Sequence, residues 1–289
     1  MGQNKEPAKI MRNIKLTLAY DGADFHGWQT QPGQPTIQTA LTEVIERVAQ
    51  ERVTIHAAGR TDAGVHALGQ TAHFHTQSSL SPGEFQRALN ALLPQEIRVT
   101  SAESVAPDFH ARWHALAKTY CYRFYRGRVL PPFLWRYVLH DPFPLNFDAM
   151  RDAARLFEGQ HDFTSFAAST GSEEDDRDRT VTRTIFRSEV LRGDDPNLPR
   201  SEFAALGIAR PGPDEWVYVV RGRSFLRYMV RKLSGTLIDV GRGRLSVGDV
   251  AELFALRDRS RSGPTLPPQG LFLVSVEYPD AAQSLDPAA

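Results

Sequence analysis

The pattern of apolar and polar residues predicts strands and helices in mixed order through the first half of the chain. Residues 14–18 alternate between apolar and polar side chains, as in a half-buried strand, and Tyr-Asp-Gly at 20–22 predicts a turn at its end. Apolar residues three and four positions apart after Thr36 indicate a helix capped by that threonine. Ser81 to Glu84 forms a capping box for a second helix, which Pro94 ends. Further strands are predicted at 53–57, 71–76, 97–105 and 118–125.

The second half continues in the same style. Asn146 is placed to cap a helix that ends near Gly159, and Ser224 is placed to open a long helix to Val240. Residues 192–199 are rich in Asp, Pro and Gly and predict a surface loop. Strands are predicted at 180–191, 216–220 and 271–276. Interleaved strands and helices of this kind favour the α+β class.

The length of the chain favours two domains. It has 289 residues, more than a usual single domain. Pro142 and Pro144 interrupt the pattern between its two halves. The domains are predicted at 12–113 and 114–279, with flexible termini at 1–11 and 280–289.

Charge along the chain is segregated, although the 34 Lys and Arg balance the 34 Asp and Glu. Residues 109–140 carry six basic and no acidic residues, and 216–244 carry seven basic residues against Asp239 alone. Two such segments suit a groove that follows phosphates, but solvated protein faces carry similar runs. The opposite sign dominates at 173–178, with five acids around one arginine, so we expect the acidic loop 171–178 to point away from a polyanion.

The remaining composition bounds the location of the protein. Cys121 is its one cysteine, which excludes an internal disulfide and fits a reducing cytoplasm. No segment approaches the apolar length of a membrane span, so a cytoplasmic protein is expected.

Gly59 and Gly64 bound a short loop, Arg60-Thr61-Asp62-Ala63, that exposes an acid near a base. An aspartate in such a loop has two interpretations. It can bond to its own backbone as a turn residue, or it can act as a catalytic carboxylate. The residue types alone do not separate the two.

The loop and its surroundings resemble a known family. Gly59 to His66, with the sequence GRTDAGVH, is similar to the signature of the tRNA pseudouridine synthase A family. The resemblance is collinear and covers roughly residues 12–279. Its other segments are 18–22, 27–29, 70–74, 108–112, 118–123, 162–166, 183–185, Phe225 with 229–231, and 270–273.

The resemblance implies an isomerase with two similar domains, each a mainly antiparallel sheet backed by helices, and an active-site cleft between them. It implies a homodimer that modifies uridines thirty-eight to forty of the tRNA anticodon stem-loop, with no metal and no cofactor. Asp62 resembles the catalytic aspartate, Tyr120 the tyrosine against the target base, and Arg231 the cation paired with the carboxylate. Leu271 resembles an apolar wall of the uracil pocket, and Arg60 belongs to the same substrate-binding set.

General chemistry agrees with these roles. A carboxylate that neighbouring cations keep ionised can attack the anomeric carbon or the pyrimidine ring, or elimination from the sugar can supply the intermediate, and the sequence leaves these routes open. A detached base must stay enclosed, and the flat ring of Tyr120 suits that task. On the same strand, Tyr120, Tyr122 and Phe124 share one face, and Phe124 is expected in the core.

Two other functions stay open on the sequence. A non-catalytic RNA-binding module would bind tRNA without forming pseudouridine. A zinc hydrolase would use His73 and His75 of one strand face, with His110 and His114 as further ligands.

Overall fold

The computed structural model describes residues 11–167, 180–199 and 211–279. The predicted acidic loop 171–178 and the predicted flexible termini, apart from Met11, lie outside these ranges. The described strands are β1 (Arg12–Tyr20), β2 (His56–Ala57), β3 (His66–Thr76), β4 (Ile97–Val105), β5 (Ala117–Tyr125), β6 (Leu139–His140), β7 (Gly159–Asp162), β8 (Thr182–Arg192), β9 (Glu215–Gly222) and β10 (Leu271–Glu277). The described helices are α1 (Ile37–Ala49), α2 (Pro82–Leu92), α3 (Phe147–Arg155), α4 (Met229–Gly241) and α5 (Val247–Leu256).

One mixed sheet connects the two halves of the described chain. Its main order is β4-β1-β3-β10-β5-β9-β8-β7, with β2 on β3 and β6 on β5. Neighbours on this path are antiparallel except β3 and β10, which run parallel where Phe272 pairs with His66. On its other side β10 is antiparallel to β5. The α+β class is therefore confirmed, while the division at 113 and 114 and the cleft between two domains stay predictions.

The described helices all pack on one face of the sheet. Their apolar residues form the main core together with Tyr120, Tyr122 and Phe124 of β5, as the alternation along this strand predicts. Cys121 points to the opposite face and joins a smaller apolar cluster with Phe272. The helical face is therefore the thick side of the sheet, and the predicted site residues Tyr120 and Leu271 belong to it.

Helix caps match the sequence closely. Thr36 accepts a hydrogen bond from the Thr39 amide at the start of α1, and Asn146 accepts one from Ala149 at the start of α3. Ser81 forms the predicted capping box with Glu84. These caps depend on residues three positions apart, so the chain sets them locally.

Several element boundaries differ from the prediction. The predicted strand 53–57 shortens to β2 because the Val53 amide and the Ile55 carbonyl bond to side chains of α1. The predicted helix at 224–240 begins only at Met229, after a residue in the left-handed conformation. Helix α5 was not predicted, although Ser246 and Asp249 form a capping box at its start. None of the described helices combines the length and the apolar composition needed to cross a bilayer.

Candidate active site

The loop that carries Asp62 joins β2 to β3 and is fixed through its backbone. The Thr61 carbonyl accepts a hydrogen bond of 3.0 Å from the Trp28 amide, and the Gly64 amide donates to the Phe25 carbonyl at 3.1 Å. A Cβ at Gly27 would lie 2.7 Å from the Thr61 oxygen, so this approach needs glycine, which also has φ +87°. The segment after β1 therefore holds the loop in one position.

Side chains complete this support. The hydroxyl groups of Tyr20 and Thr61 lie 2.9 Å apart, and the Gln70 amide donates to the Gly59 carbonyl at 2.8 Å. The Nδ1 atom of His66 lies 3.1 Å from the Gly22 amide and from Asp21, while its Nε2 lies 2.9 Å from a backbone carbonyl. His66 therefore braces the loop instead of facing a substrate.

Asp21 stays ionised in this frame. Burial raises the pKa of its carboxyl group, but hydrogen bonds with His66, the Ala23 amide and the Tyr137 hydroxyl outweigh burial and hold the pKa well below its usual range. The carboxylate therefore serves as a fixed acceptor for the supporting residues.

Asp62 faces the start of α4. Its side chain is 22% exposed, and its Oδ2 lies 3.5 Å from Nη1 of Arg231. Burial raises the pKa of the Asp62 carboxyl group, and the positive charges of Arg231 and Arg227 oppose this rise without reversing it. The expected cationic surroundings are present, but desolvation is the larger effect. The site thus holds a carboxylate that is more basic than a surface aspartate.

Arg231 is held in place by a backbone carbonyl. Its Nε donates a hydrogen bond of 2.6 Å to the Leu266 oxygen, and the Leu266 amide donates back to the Arg231 carbonyl at 3.3 Å. The following carbonyl, of Pro267, accepts from the Tyr122 hydroxyl at 2.7 Å. The segment before β10 therefore connects the Asp62–Arg231 pair to the central strands.

Tyr120 supplies a buried aromatic ring beside this pair. The residue is 8% exposed, and its ring meets Phe225 edge to face with centroids 5.0 Å apart. Burial raises the pKa of the Tyr120 phenol, and the nearby Tyr20 and Asp62 raise it further. The phenol is therefore neutral at physiological pH and can donate a hydrogen bond.

Leu271 lies on the same face of the sheet. It is buried at the start of β10 and pairs with Tyr122, while Leu273 of the same strand pairs with Tyr120. The fold thus brings Asp62, Tyr120, Arg231 and Leu271 to one region from distant parts of the sequence. Their assigned roles remain predictions.

Arg60 is exposed on the loop, whereas the guanidinium charges that act on the Asp62 carboxyl group come from Arg231 and Arg227. Sequence reasoning did not single out Arg227. Its signal was its place four residues before Arg231, within the basic segment 216–244.

Two arginines of the basic segment 109–140 form ion pairs within the protein. Arg123 is fully buried and makes two hydrogen bonds, of 2.9 and 3.0 Å, to the buried Glu215. Arg126 pairs with Asp141 at 3.3 Å. Both acids lie outside the segment 109–140, so the number of basic residues in this segment overstates the positive surface available to a ligand.

The predicted histidines do come together, but as a packed cluster. The ring of His73 lies 4.7 Å from that of His110 and 5.2 Å from that of His56 between centroids. The Nδ1 atoms of His73 and His110 accept hydrogen bonds of 3.2 Å from the Ala111 and Arg112 amides. Within 11–167, 180–199 and 211–279, no group of three potential ligands is arranged to hold a metal ion. The zinc alternative therefore has no support in this part of the chain.

This cluster predicts a loss of stability in mild acid. Burial and the charges of His110, His56 and His75 lower the pKa of His73 to about 4, below the value of about 6.5 in an unfolded chain. Between these values the unfolded state binds the extra proton, so stability falls as pH falls. From about pH 7.5 to about pH 5.5, His73 should cost roughly 1 kcal/mol in the free energy of unfolding.

Urea unfolding at both pH values measures this effect. The drop should be smaller in His73→Gln and unchanged in His26→Gln, which alters an exposed histidine. An equal drop in wild type and His73→Gln would contradict the assignment.

Comparison with known proteins places these features in context. A family model described as tRNA pseudouridine synthase matches residues 17–114 and 153–279. The tRNA pseudouridine synthase A of Solibacter usitatus is 46% identical over 268 residues, which cover 93% of this chain and 100% of the relative. The protein of the same name from Geobacillus sp. is 41% identical over 270 residues, covering 93% and 99%. The tRNA pseudouridine synthase A 1 of Desulfotalea psychrophila is 40% identical over 274 residues, covering 93% and 100%.

Proposed function

Because the chain belongs to the tRNA pseudouridine synthase family, we propose that it converts uridines thirty-eight to forty of the tRNA anticodon stem-loop to pseudouridine, with Asp62 as the catalytic carboxylate. It is accordingly an isomerase that acts on tRNA. The observation that carries the role of Asp62 is its position, partly buried and 3.5 Å from Arg231, on a loop fixed by the strands around it. A mobile turn residue would need neither the support nor the partner.

The reaction moves the attachment of uracil from nitrogen one to carbon five. The glycosidic bond breaks, the base rotates, a bond forms from carbon five to the sugar, and the proton on carbon five is lost while nitrogen one gains one. The reaction causes no net oxidation and consumes no water, so the proposal calls for no cofactor. If ionised Asp62 attacks the anomeric carbon, its oxygen displaces nitrogen one and is itself displaced when carbon five attacks that carbon. If it attacks carbon six of the ring, it is eliminated from that carbon after the new bond to carbon five has formed. In an elimination route, Asp62 instead removes a proton from the neighbouring sugar carbon as uracil leaves and returns it when carbon five adds. Its raised pKa makes it a stronger nucleophile and limits activity at low pH.

The neighbouring residues hold the base during its rotation. The Tyr120 ring offers a flat face and Leu271 an apolar wall, so that detached uracil stays out of water. The neutral phenol of Tyr120 can also donate a hydrogen bond to a uracil oxygen. Both residues therefore keep the base close to the sugar without taking part in bond making.

The target uridine has to leave its stack to reach Asp62. Arg60, which is exposed on the same loop, contacts the RNA around the extruded nucleotide in this proposal. We further propose that domains 12–113 and 114–279 form the two walls of the tRNA cleft and that the active form is a homodimer. RNA shape then selects the stem-loop instead of a base sequence.

Release of tritium tests the reaction. Transfer RNA that lacks this modification, labelled with tritium at carbon five of uridine, should release tritium on incubation with the protein, because the new bond replaces that hydrogen. A matched tRNA with cytidine at the three target positions is the control and should release none. Binding of tRNA without release would instead support the non-catalytic module, and release abolished by a chelator would support a metal enzyme.

A further inference from the structure

Tyr228 has an unusual backbone conformation beside the candidate site. It directly precedes α4 and has φ 61° and ψ 2°, in the left-handed region. Among the described residues, the other non-glycine residues with positive φ are Gln50 and Arg257. Those two follow the carboxyl ends of α1 and α5, where left-handed residues are ordinary. Tyr228 stands at the amino end of a helix, where this conformation has no such role.

The ring of Tyr228 contacts two arginines that face Asp62. The guanidinium carbon of Arg227 lies 4.9 Å from the ring centroid, and that of Arg231 lies 5.0 Å from it. Arg227 also donates a hydrogen bond of 3.2 Å to the Tyr228 hydroxyl. The two distances from guanidinium carbon to ring centroid are within the range of cation–π attraction. We call Arg227, Tyr228 and Arg231 the arginine–tyrosine cluster.

The ring of Tyr228 offsets the electrostatic repulsion between Arg227 and Arg231. Two guanidinium groups near one carboxylate repel each other, and a long exposed side chain such as Arg227 loses entropy when it is held still. An aromatic ring that attracts both guanidinium groups offsets these costs. The carbonyl of Leu266 holds Arg231 alone, so it cannot do the same for Arg227.

We propose that Tyr228 is a positioning residue, whose ring holds Arg227 and Arg231 where their charges act on Asp62. The inference deepens the proposed function and rests on it. Besides the two arginines, Tyr120 of β5 interacts electrostatically with this carboxylate, while Arg60 of the same loop is exposed. Tyr20 of β1 bonds to the neighbouring Thr61. None of these replaces a displaced arginine at the start of α4.

Two variants separate the ring from the backbone. Tyr228→Leu and Tyr228→Phe both lack the hydroxyl and both place a bulky apolar residue in the left-handed conformation, but only phenylalanine keeps an aromatic face. In tritium release, Tyr228→Leu should lower kcat by about fivefold to tenfold and change KM less, while Tyr228→Phe should stay within about twofold of wild type. The acid limb of the kcat profile should move to higher pH only in Tyr228→Leu.

A measurement without tRNA tests the same inference apart from activity. Carbon-13 NMR of aspartate-labelled protein, with the Asp62 signal assigned by its absence from Asp62→Asn, gives the pKa of this carboxyl group. That pKa should be higher in Tyr228→Leu than in Tyr228→Phe. Phe147→Leu removes a ring 4.4 Å from the Arg192 guanidinium and should leave the Asp62 pKa unchanged.

The outcomes are distinct. Equal Asp62 pKa values and equal activity profiles in Tyr228→Leu and Tyr228→Phe would overturn the positioning role. Absence of tritium release from the wild-type protein would overturn the proposed reaction, and the titration would still decide whether Tyr228 positions the arginines.

Discussion

Asp62→Asn protein is expected to form no measurable pseudouridine, a loss of at least about a thousandfold in kcat. An amide has the shape of the carboxylate but cannot attack carbon as an oxygen nucleophile. Because the loop is held through Thr61 and Gly64, the substitution should leave its backbone in place. Tritium release measures the loss, and a filter-binding Kd for tRNA within about threefold of wild type shows that the RNA site is intact.

The same variant should be more stable than wild type at neutral pH. Burial raises the pKa of the Asp62 carboxyl group above about 3.9, its unfolded value. The native state therefore favours the protonated Asp62, and the free energy of unfolding decreases as pH rises through the folded pKa and the buried group becomes charged. Asparagine is neutral at every pH, so Asp62→Asn avoids this decrease. Urea unfolding compares the two proteins, with Asp148→Asn, which alters an exposed carboxylate of α3, as the control.

Wild-type activity in Asp62→Asn would overturn the catalytic role of Asp62.

The second large effect is expected for Arg231→Gln, with kcat about a hundredfold lower at neutral pH. This substitution removes the cation 3.5 Å from Asp62 and leaves a partly buried carboxylate without its nearest partner. The pKa of Asp62 then rises further, so a smaller fraction is ionised. Activity should therefore recover in part as pH increases, because alkaline solution restores the nucleophile.

A pH profile of tritium release checks this mechanism. Arg231→Lys should fall between wild type and Arg231→Gln, since one ammonium group cannot serve the Leu266 carbonyl and Asp62 with the geometry of a guanidinium. Arg244→Gln alters an exposed arginine that pairs with Asp239, and it should match wild type. A loss in Arg231→Gln that is the same at every pH would show that Arg231 does not act through the ionisation of Asp62.

Local signals in the sequence were sufficient for most of the secondary structure. Thr36, Ser81 and Asn146 cap the helices that their neighbours predict, because a cap involves groups only three residues apart. The predicted start of α4 at Ser224 was wrong because Tyr228 adopts a backbone conformation that tyrosine rarely takes. Only the surroundings of Tyr228 in the fold can impose this conformation.

The site itself depends on contacts between distant residues. The motif around Asp62 indicated the loop, but the upward shift of the Asp62 pKa follows from burial by other elements of the fold. The basic segment 109–140 suggested a positive surface, yet Arg123 is buried against Glu215, 92 residues later. Such pairings are set by strand order, which hydrophobic periodicity does not encode.

The central place of β10 has a consequence for the growing chain. Residues 271–277 form the last described strand, yet they lie between β3 and β5, the strands that follow the Asp62 loop and carry Tyr120. Until the ribosome has released them, β3 and β5 both present open edges, which can pair with the wrong partner. The sheet therefore brings Asp62 and Tyr120 together only after residues 271–277 have left the ribosome. Shorter nascent chains contain both residues but lack the strand that lies between β3 and β5.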